Sequence, residues 1–359
     1  MSEAAATALS AAVARAVSRA SVVLEDVRQD ALDYDAFLAH RAVTRIHGVA
    51  LADGDRIPWS MIEKTTEGPH LAIPYLTDNG DREYAAYASG LLEDLAPAVR
   101  APRLYGSAVE DDGRTVLWLE EIHHDGTRPL DADTILEAAH DLGGLAGRWI
   151  GRPLDEPWMF DGWIDRHSQP EAAERGLATV RRRNPAVVAH LGDRLAAAER
   201  LILAQPDVRG VLEALPHTLC HHDAVGANVF RSDGRTVLID WESVGPGPVG
   251  ADLASLLFSS VRRGDASAFV VAPLLEEAVD AYAAGLHEEQ PRADIADVRR
   301  GLDASAALRW KLAVDVADGL ERGDVPRRGS LPEETGEEAA EELLVLIDLQ
   351  LAAAERTLA

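Results

Sequence analysis

The chain has 359 residues, 61 of them acidic and 35 basic, for a formal charge of −26, and a single cysteine. That length exceeds the usual single core and calls for two lobes, a lone cysteine rules out an internal disulfide, and the shortage of clustered Lys and Arg argues against a nucleic-acid or anionic-membrane partner. No apolar run of about 18 residues and no signal-type N-terminus occur, so no membrane span is expected and a cytoplasmic, reducing location is the default.

The acidic balance is a mild bias toward a cationic small-molecule ligand. Lys64 and Lys311 are the only lysines. In a chain so committed to Arg, each marks a place where a compact ammonium on a thin stem is needed, with chance retention as the plain alternative.

In chain order, "AAATALSAAVARAVSRA" predicts an N-terminal helix packing as an extension. "SVVLEDV", "VTRIHGVALA" and "RIPWSMIEKTT" read as strands, the last two joined by an Asp53-Gly54 turn. "DREYAAYASGLLEDLA" predicts a helix with Tyr84, Tyr87, Leu91 and Leu95 at helical spacing, and "APRLYGSAVE", a turn at Asp112-Gly113 and "RTVLWLEEI" add two strands. This is a five-stranded sheet with one main helix after its third strand.

Beyond Gly126 long helices are expected over Asp133–Ile150, Glu171–Arg182 and Pro185–Leu203. The shift in composition near His123–Pro129 is the expected lobe boundary, dividing residues 1–122 from residues 123–359. A β segment returns only at "NVFRSDGRTVLID", turning at Asp233-Gly234, and the rest reads as helix, with a loop at Arg322–Glu338 before a closing helix to about Thr357.

The most crowded stretch is "LCHHDAVGANVF", Leu219–Phe230. Cys220, His221, His222 and Asp223 are all metal-ligand types, but adjacent side chains diverge, and no spaced second pair exists for zinc. "GPGPVG", Gly245–Gly250, matches G-x-G-x-x-G; its prolines have no N–H to offer a pyrophosphate and no βαβ unit follows. The remaining reading uses spacing: His221-x-Asp223, Asn228 five residues after the Asp, a hairpin, then an apolar strand ending at Asp240. Phosphoryl transfer needs this set, with one carboxylate to orient or deprotonate the attacking hydroxyl and an amide plus a second carboxylate to hold Mg²⁺.

"HHDAVGANVF" followed by "VLIDWESVGPGPVGADLASLL" resembles the catalytic and metal loops of the aminoglycoside phosphotransferase family, small-molecule kinases of protein-kinase-like fold. The chain departs from the family pattern at His222, where Gly is common. The resemblance implies an α+β, two-lobed protein: a nucleotide-binding N-lobe, residues 1–122, and a mostly helical C-lobe, residues 123–359, with the catalytic loops and acceptor site. It implies Asp223 as base with His221 and Asn228 beside it, Asn228 and Asp240 as Mg²⁺ ligands, and Asp252 bracing the catalytic loop, an N-terminal helix cap being equally open for Asp252. Lys64 would meet the nucleotide phosphates, held by Glu83, and the carbonyl of Glu120 with the N–H of Ile122 would read adenine.

ATP and Mg²⁺ are the cofactors so implied. "RQDALDYDAFLAHRA", between the first two strands, has no glycine; main-chain N–H groups near Asp35–Phe37, or His40 and Arg41, are candidates to cover the phosphates. The acceptor would be a small hydroxyl compound, an aminoglycoside or other antibiotic; choline, a sugar or an amino-alcohol is the metabolic alternative, and a catalytically silent nucleotide-binding regulator is the alternative of another class. Trp158, Trp163, Trp310 and the acids Asp161, Asp165, Asp315 and Asp318 are the candidate specificity residues, the acids as receivers of ammonium groups; core packing is the alternative for the tryptophans and a solvated helix face for the acids. His123 and His124 are placed at the cleft mouth without a role, and Cys220 as a small hydrophobe behind the loop.

Overall fold

The computed structural model describes residues 3–32, 42–66, 82–110, 113–324, 326–329 and 334–359. Asp35–Phe37, His40, Arg41 and Asp112 lie outside them. The chain forms two compact units. One comprises residues 1–94, 100–123 and 237–242, and the other comprises residues 95–99, 124–236 and 243–359.

The first unit contains helix α1 (Glu3–Ala16), strands β1 (Val23–Ala31), β2 (Ala42–Ala52) and β3 (Asp55–Thr66), and the short helix α2 (Arg82–Ala88). After β4 (Val99–Arg100) come β5 (Leu104–Val109) and β6 (Thr115–Leu119). Five of these strands make an antiparallel sheet in the order β1-β2-β3-β6-β5. The β2–β3 turn is tight because Asp53 (φ 53°) and Gly54 (φ 90°) both take the left-handed conformation that matches strand twist. β1 runs further than its hydrophobic pattern suggests, to Ala31, past a register shift between Glu25 and Arg28.

Alternation along β3 sends Trp59 and Met61 to one face and Lys64 to the other. The first face is covered by α1, whose Leu9, Ala12 and Val13 pack with Ile46, Trp59, Met61 and Trp118. α1 is therefore a layer of this core. Arg15 of α1 also donates to the Tyr105 carbonyl on β5. The helix expected over residues 81–96 is shorter: Gly90 turns left-handed (φ 79°), so α2 stops at Ala88 and a separate 3₁₀ turn follows at Leu91–Glu93.

The second unit is mostly helical. It holds α3 (Ala132–Trp149), α4 (Trp163–His167), α5 (Pro170–Arg181), α6 (Pro185–Leu191), α7 (Arg194–Leu203) and α8 (Gln205–Ala214). The helix expected over Pro185–Leu203 is two, because Gly192 (φ 54°, ψ −129°) leaves helical space. β7 (His217–Cys220), β8 (Val229–Ser232), β9 (Arg235–Leu238, which ends in the first unit) and β10 (Gly245–Pro248) follow. The expected hairpin is present as β8–β9, with Asp233 at φ 53° and Gly234 at φ 70°.

β7 and β10 form an antiparallel pair that the sequence reading did not contain, with Gly245 opposite Cys220 and Pro248 opposite His217. The "GPGPVG" stretch is thus strand. The chain continues as α9 (Ala251–Ala254), a π turn at Ser255–Ser259 and α10 (Ser260–Arg263), then α11 (Ala268–Glu289), α12 (Ile295–Leu308), α13 (Lys311–Arg322) and α14 (Gly336–Leu358). α14 opens on a capping box, Thr335 with Glu338. No described helix is long and apolar enough to cross a membrane.

If α1 is integral to the sheet's core, Leu9→Ala will lower unfolding stability by about 2–5 kcal/mol in urea denaturation. A change of only a few tenths would mean that the helix is merely appended.

Candidate active site

In the first unit the chemistry gathers on the sheet face opposite α1. Lys64, near the end of β3, is 7% exposed. Its Nζ lies 2.5 Å from Glu83 Oε2 in the first turn of α2 and 2.5 Å from Asp240 Oδ1 just beyond β9. Burial alone would push this ammonium down, but Asp240 and Glu83 outweigh it and hold the pKa above the ordinary lysine value. Asp240 itself sits at φ 66°, in the left-handed region that Asp enters more readily than most residues other than glycine.

One turn after Glu83, Tyr87 is turned inward. Burial, and then Glu83, Glu120 and Asp240, push its hydroxyl well above the usual range. Sequence reasoning saw Tyr87 only as a position in a helical period; Tyr84, three residues earlier, is 37% exposed. Glu120 and Ile122 lie on the irregular segment that leaves β6. The Glu120 carboxylate accepts from Arg100 at 2.7 Å and from the Arg103 N–H at 3.1 Å, which anchors that segment through its side chain.

In the second unit the crowded stretch forms a braced loop. β7 delivers His221, and a 3₁₀ turn at Gly226–Asn228 brings Asn228 back under Asp223. Asn228 Nδ2 donates to the Asp223 carbonyl and to its Oδ2, both at 2.9 Å. With the amide nitrogen so used, the oxygen is the part of Asn228 able to meet a cation. His221 Nδ1 accepts from the Asp223 N–H at 3.3 Å, which puts any ring proton of the neutral imidazole on Nε2. Asp223 keeps a side-chain exposure of 39%, and Arg263 Nη1 stands 3.8 Å from its Oδ2.

The helix that begins at Ala251 holds this loop. Asp252 accepts the N–H groups of His221 at 2.7 Å and His222 at 2.8 Å, so it braces the loop, while Gly250 occupies the N-cap position. Farther along, Ser260 accepts from the Gly226 N–H at 2.8 Å, and Asp265 accepts from the Ala227 N–H at 3.0 Å. The π turn between Asp252 and Ser260 re-phases the helix, a local device that often sits at functional sites.

His222, the departure from the family pattern, stands at φ 65°. Its ring is directed into the core. It stacks on Trp163 with centroids 5.4 Å apart, meets Phe160 edge-on, and its Nε2 donates to the Pro246 carbonyl at 3.1 Å. Gly247 supplies the room, since an added Cβ there would lie 2.5 Å from His222 Cε1. Ring burial offsets the left-handed backbone that Gly would adopt without cost.

Cys220, His222 and Asp252 present ligand atoms within 4.8 Å of one another. Both Asp252 oxygens already accept backbone N–H bonds. The Cys220 thiol is pushed well up by burial and by Asp252, so it stays protonated. The cluster is the footing of the loop. His124, which the sequence left without a role, accepts from the Arg231 N–H at 3.0 Å.

A family model described as "Phosphotransferase enzyme family" matches residues 43–296. The chain belongs to that family. Among solved structures, the aminoglycoside phosphotransferase of Alicyclobacillus acidocaldarius is 15% identical, with 90% of this chain and 92% of that one covered and a TM-score of 0.52. Amicoumacin kinase hAmiN, solved with AMP-PNP, Ca²⁺ and Ami, is also 15% identical, with coverage of 92% and 89% and a TM-score of 0.50. No curated protein sequence matches. These likenesses establish a protein-kinase-like α+β fold with a five-stranded antiparallel sheet and a mostly helical remainder, and the family makes the chain a small-molecule phosphotransferase.

The buried His222 ring has a pH consequence. Burial, chiefly, takes its pKa from 6.5 to about 3. The unfolded chain therefore binds a proton that the folded one refuses, so the contribution to stability is whole above pH 6.5 and is lost as the pH falls toward 3. Asp252, raised by burial from 3.8 to about 6, acts in the opposite sense, favouring the fold below pH 3.8 and losing that as the pH rises through 6. His222→Asn, which tolerates the left-handed backbone, isolates the first effect. Relative to that variant, wild type will lose about 1.4 kcal/mol per pH unit below pH 6.5 in urea denaturation, and parallel profiles would refute the assignment.

Proposed function

We propose that the protein transfers the γ-phosphoryl group of ATP to a hydroxyl of a small molecule. The observation that carries the reading is the buried Lys64 ammonium clamped between Glu83 and Asp240. An ammonium kept charged in a buried setting, with a carboxylate beside it to share a cation, suits the phosphates of a nucleotide. Glu83 fixes the ammonium, and the main-chain groups of Glu120 and Ile122 read the adenine.

Asp223 is the base. Held by the Asn228 amide and partly exposed, its carboxylate is able to orient the acceptor hydroxyl and receive its proton as the O–P bond forms. His221 supports the loop through the Asp223 N–H. Asn228 and Asp240 offer hard oxygens of the type Mg²⁺ takes, and neither is a soft donor that would favour another metal. Bound Mg²⁺ would neutralise charge on the β- and γ-phosphates. The complex of hAmiN with AMP-PNP and Ca²⁺ is in keeping with a nucleotide and a divalent ion. An ATP donor suits a cytoplasmic enzyme.

The acceptor class is the open part of the reading, and one fold hosts many acceptors. The test is Mg²⁺-dependent ADP release over a panel of aminoglycosides, other hydroxylated antibiotics, choline-like amines and sugars, including sugar acids. Wild type is expected to release ADP with one class, and Asp223→Asn to lower that rate at least about a hundredfold while ATP binding persists. Full turnover by Asp223→Asn would remove the assigned base. ATP binding with no transfer to any compound would favour a silent nucleotide-binding regulator.

A further inference from the structure

One of the chain's two lysines has no part in that reading. Lys311 opens α13 directly after Trp310, which is 3% exposed and is the meeting point of three elements. Trp310 Nε1 donates to the His167 carbonyl at the end of α4 at 3.3 Å. Its ring lies against Gly176 of α5, where an added Cβ would come within 2.5 Å of Cζ3. The chain neighbours of His167, Gly176 and Trp310 are Arg166, Arg175 and Lys311. The Lys311 ammonium lies 6.0 Å from the indole centroid, and Arg166 and Arg175 are near enough to act on its charge.

Among the described residues, none of these three side chains has a hydrogen bond or ion pair to an acid. Three acids of the same segments are already used, while Glu171 and Glu174 of α5 are exposed and without an ion pair among the described residues. Asp165 binds Arg209 at 2.5 Å, Asp318 binds Arg182 at 2.9 Å, and Asp315 binds Arg262. Of the four acids expected to receive ammonium groups, Asp161 alone stands without a partner among the described residues. Asp315, the acid that acts most on the Lys311 ammonium, is itself paired with Arg262.

The electrostatics agree. Burial pushes the Lys311 ammonium below its ordinary range; Asp315 opposes this, and Arg175, Arg166 and Arg262 add to it. Burial also lowers Arg166, opposed by Asp223, so Arg166 is within electrostatic reach of the proposed base. Crowded like charges repel, and a bound anion removes that cost.

We infer that Arg166, Arg175 and Lys311 form an anion-binding subsite for the acceptor, so that the hydroxyl compound phosphorylated carries a carboxylate or phosphate group. The word acceptor rests on the phosphotransfer reading; the anion site does not. Guanidinium forks match both anions in a bidentate way, and the mobile ammonium adds a point charge.

The test is ligand-observed NMR titration of the full chain without ATP, using gluconate against glucose, glycerol 3-phosphate against glycerol, and choline as the cationic counterpart. Wild type is expected to bind at least one acid tenfold or more tightly than its neutral partner, and the arm that shows it distinguishes carboxylate from phosphate. Lys311→Gln and Arg166→Gln should each lose most of that preference with melting temperatures unchanged or raised, since each removes an unpaired charge. Equal binding of acids and neutral partners, a preference for choline, variants that keep the acid preference, or variants that lose it only with a fall in melting temperature would overturn the inference. Because no phosphoryl transfer is read, such a failure is separate from failure of the Asp223→Asn assay.

Discussion

A buried ammonium is the constraint on which the first unit depends. Taking Lys64 out of water costs several kcal/mol unless opposite charge replaces the lost hydration. Glu83 and Asp240 supply that charge from two directions, so β3, α2 and the segment after β9 are tied at one atom. This accounts for a feature of chain tracing: Val237–Glu242 belong with the first unit although the residues on both sides of that segment belong with the second. Removing either carboxylate would leave a buried charge half matched, a loss of about 3–5 kcal/mol.

The second unit fixes its carboxylate differently. Asp223 is held through backbone: Asp252 takes two successive N–H groups of its loop, Ser260 and Asp265 take two more, and Asn228 closes the turn from within. Three of these anchors, Asp252, Ser260 and Asp265, sit on or just after one interrupted helix, so its π turn sets their relative phase. His222 adds a side-chain anchor in place of glycine's freedom, with its ring stacked on Trp163. A rigid loop carrying a partly exposed carboxylate is what orientation of a small acceptor requires.

Much of this was legible from residue order. The Asp53-Gly54 and Asp233-Gly234 turns announce their hairpins because left-handed backbone is costly elsewhere, and one lysine in a strand pairs with the first glutamate of the next helix. What escaped depends on contacts distant in sequence. The Ala-rich α1 shows no sign of its target, yet it covers the sheet. The β7–β10 pair joins two segments about 25 residues apart through prolines that argue against strand. Tyr87 is distinguished from Tyr84 only by which side of α2 faces the carboxylates. Asp165, Asp315 and Asp318 are matched by arginines far along the chain, pairings that residue order does not reveal.

The central claim, that Asp240 beside Lys64 is where a divalent ion meets the nucleotide, is tested most directly by calorimetric ATP binding with and without Mg²⁺ in wild type and Asp240→Asn. Wild-type affinity should rise at least tenfold with Mg²⁺, and the variant should lose most of that rise while remaining folded. An Asp240→Asn protein with an undiminished Mg²⁺ response would place the metal elsewhere and contradict the account.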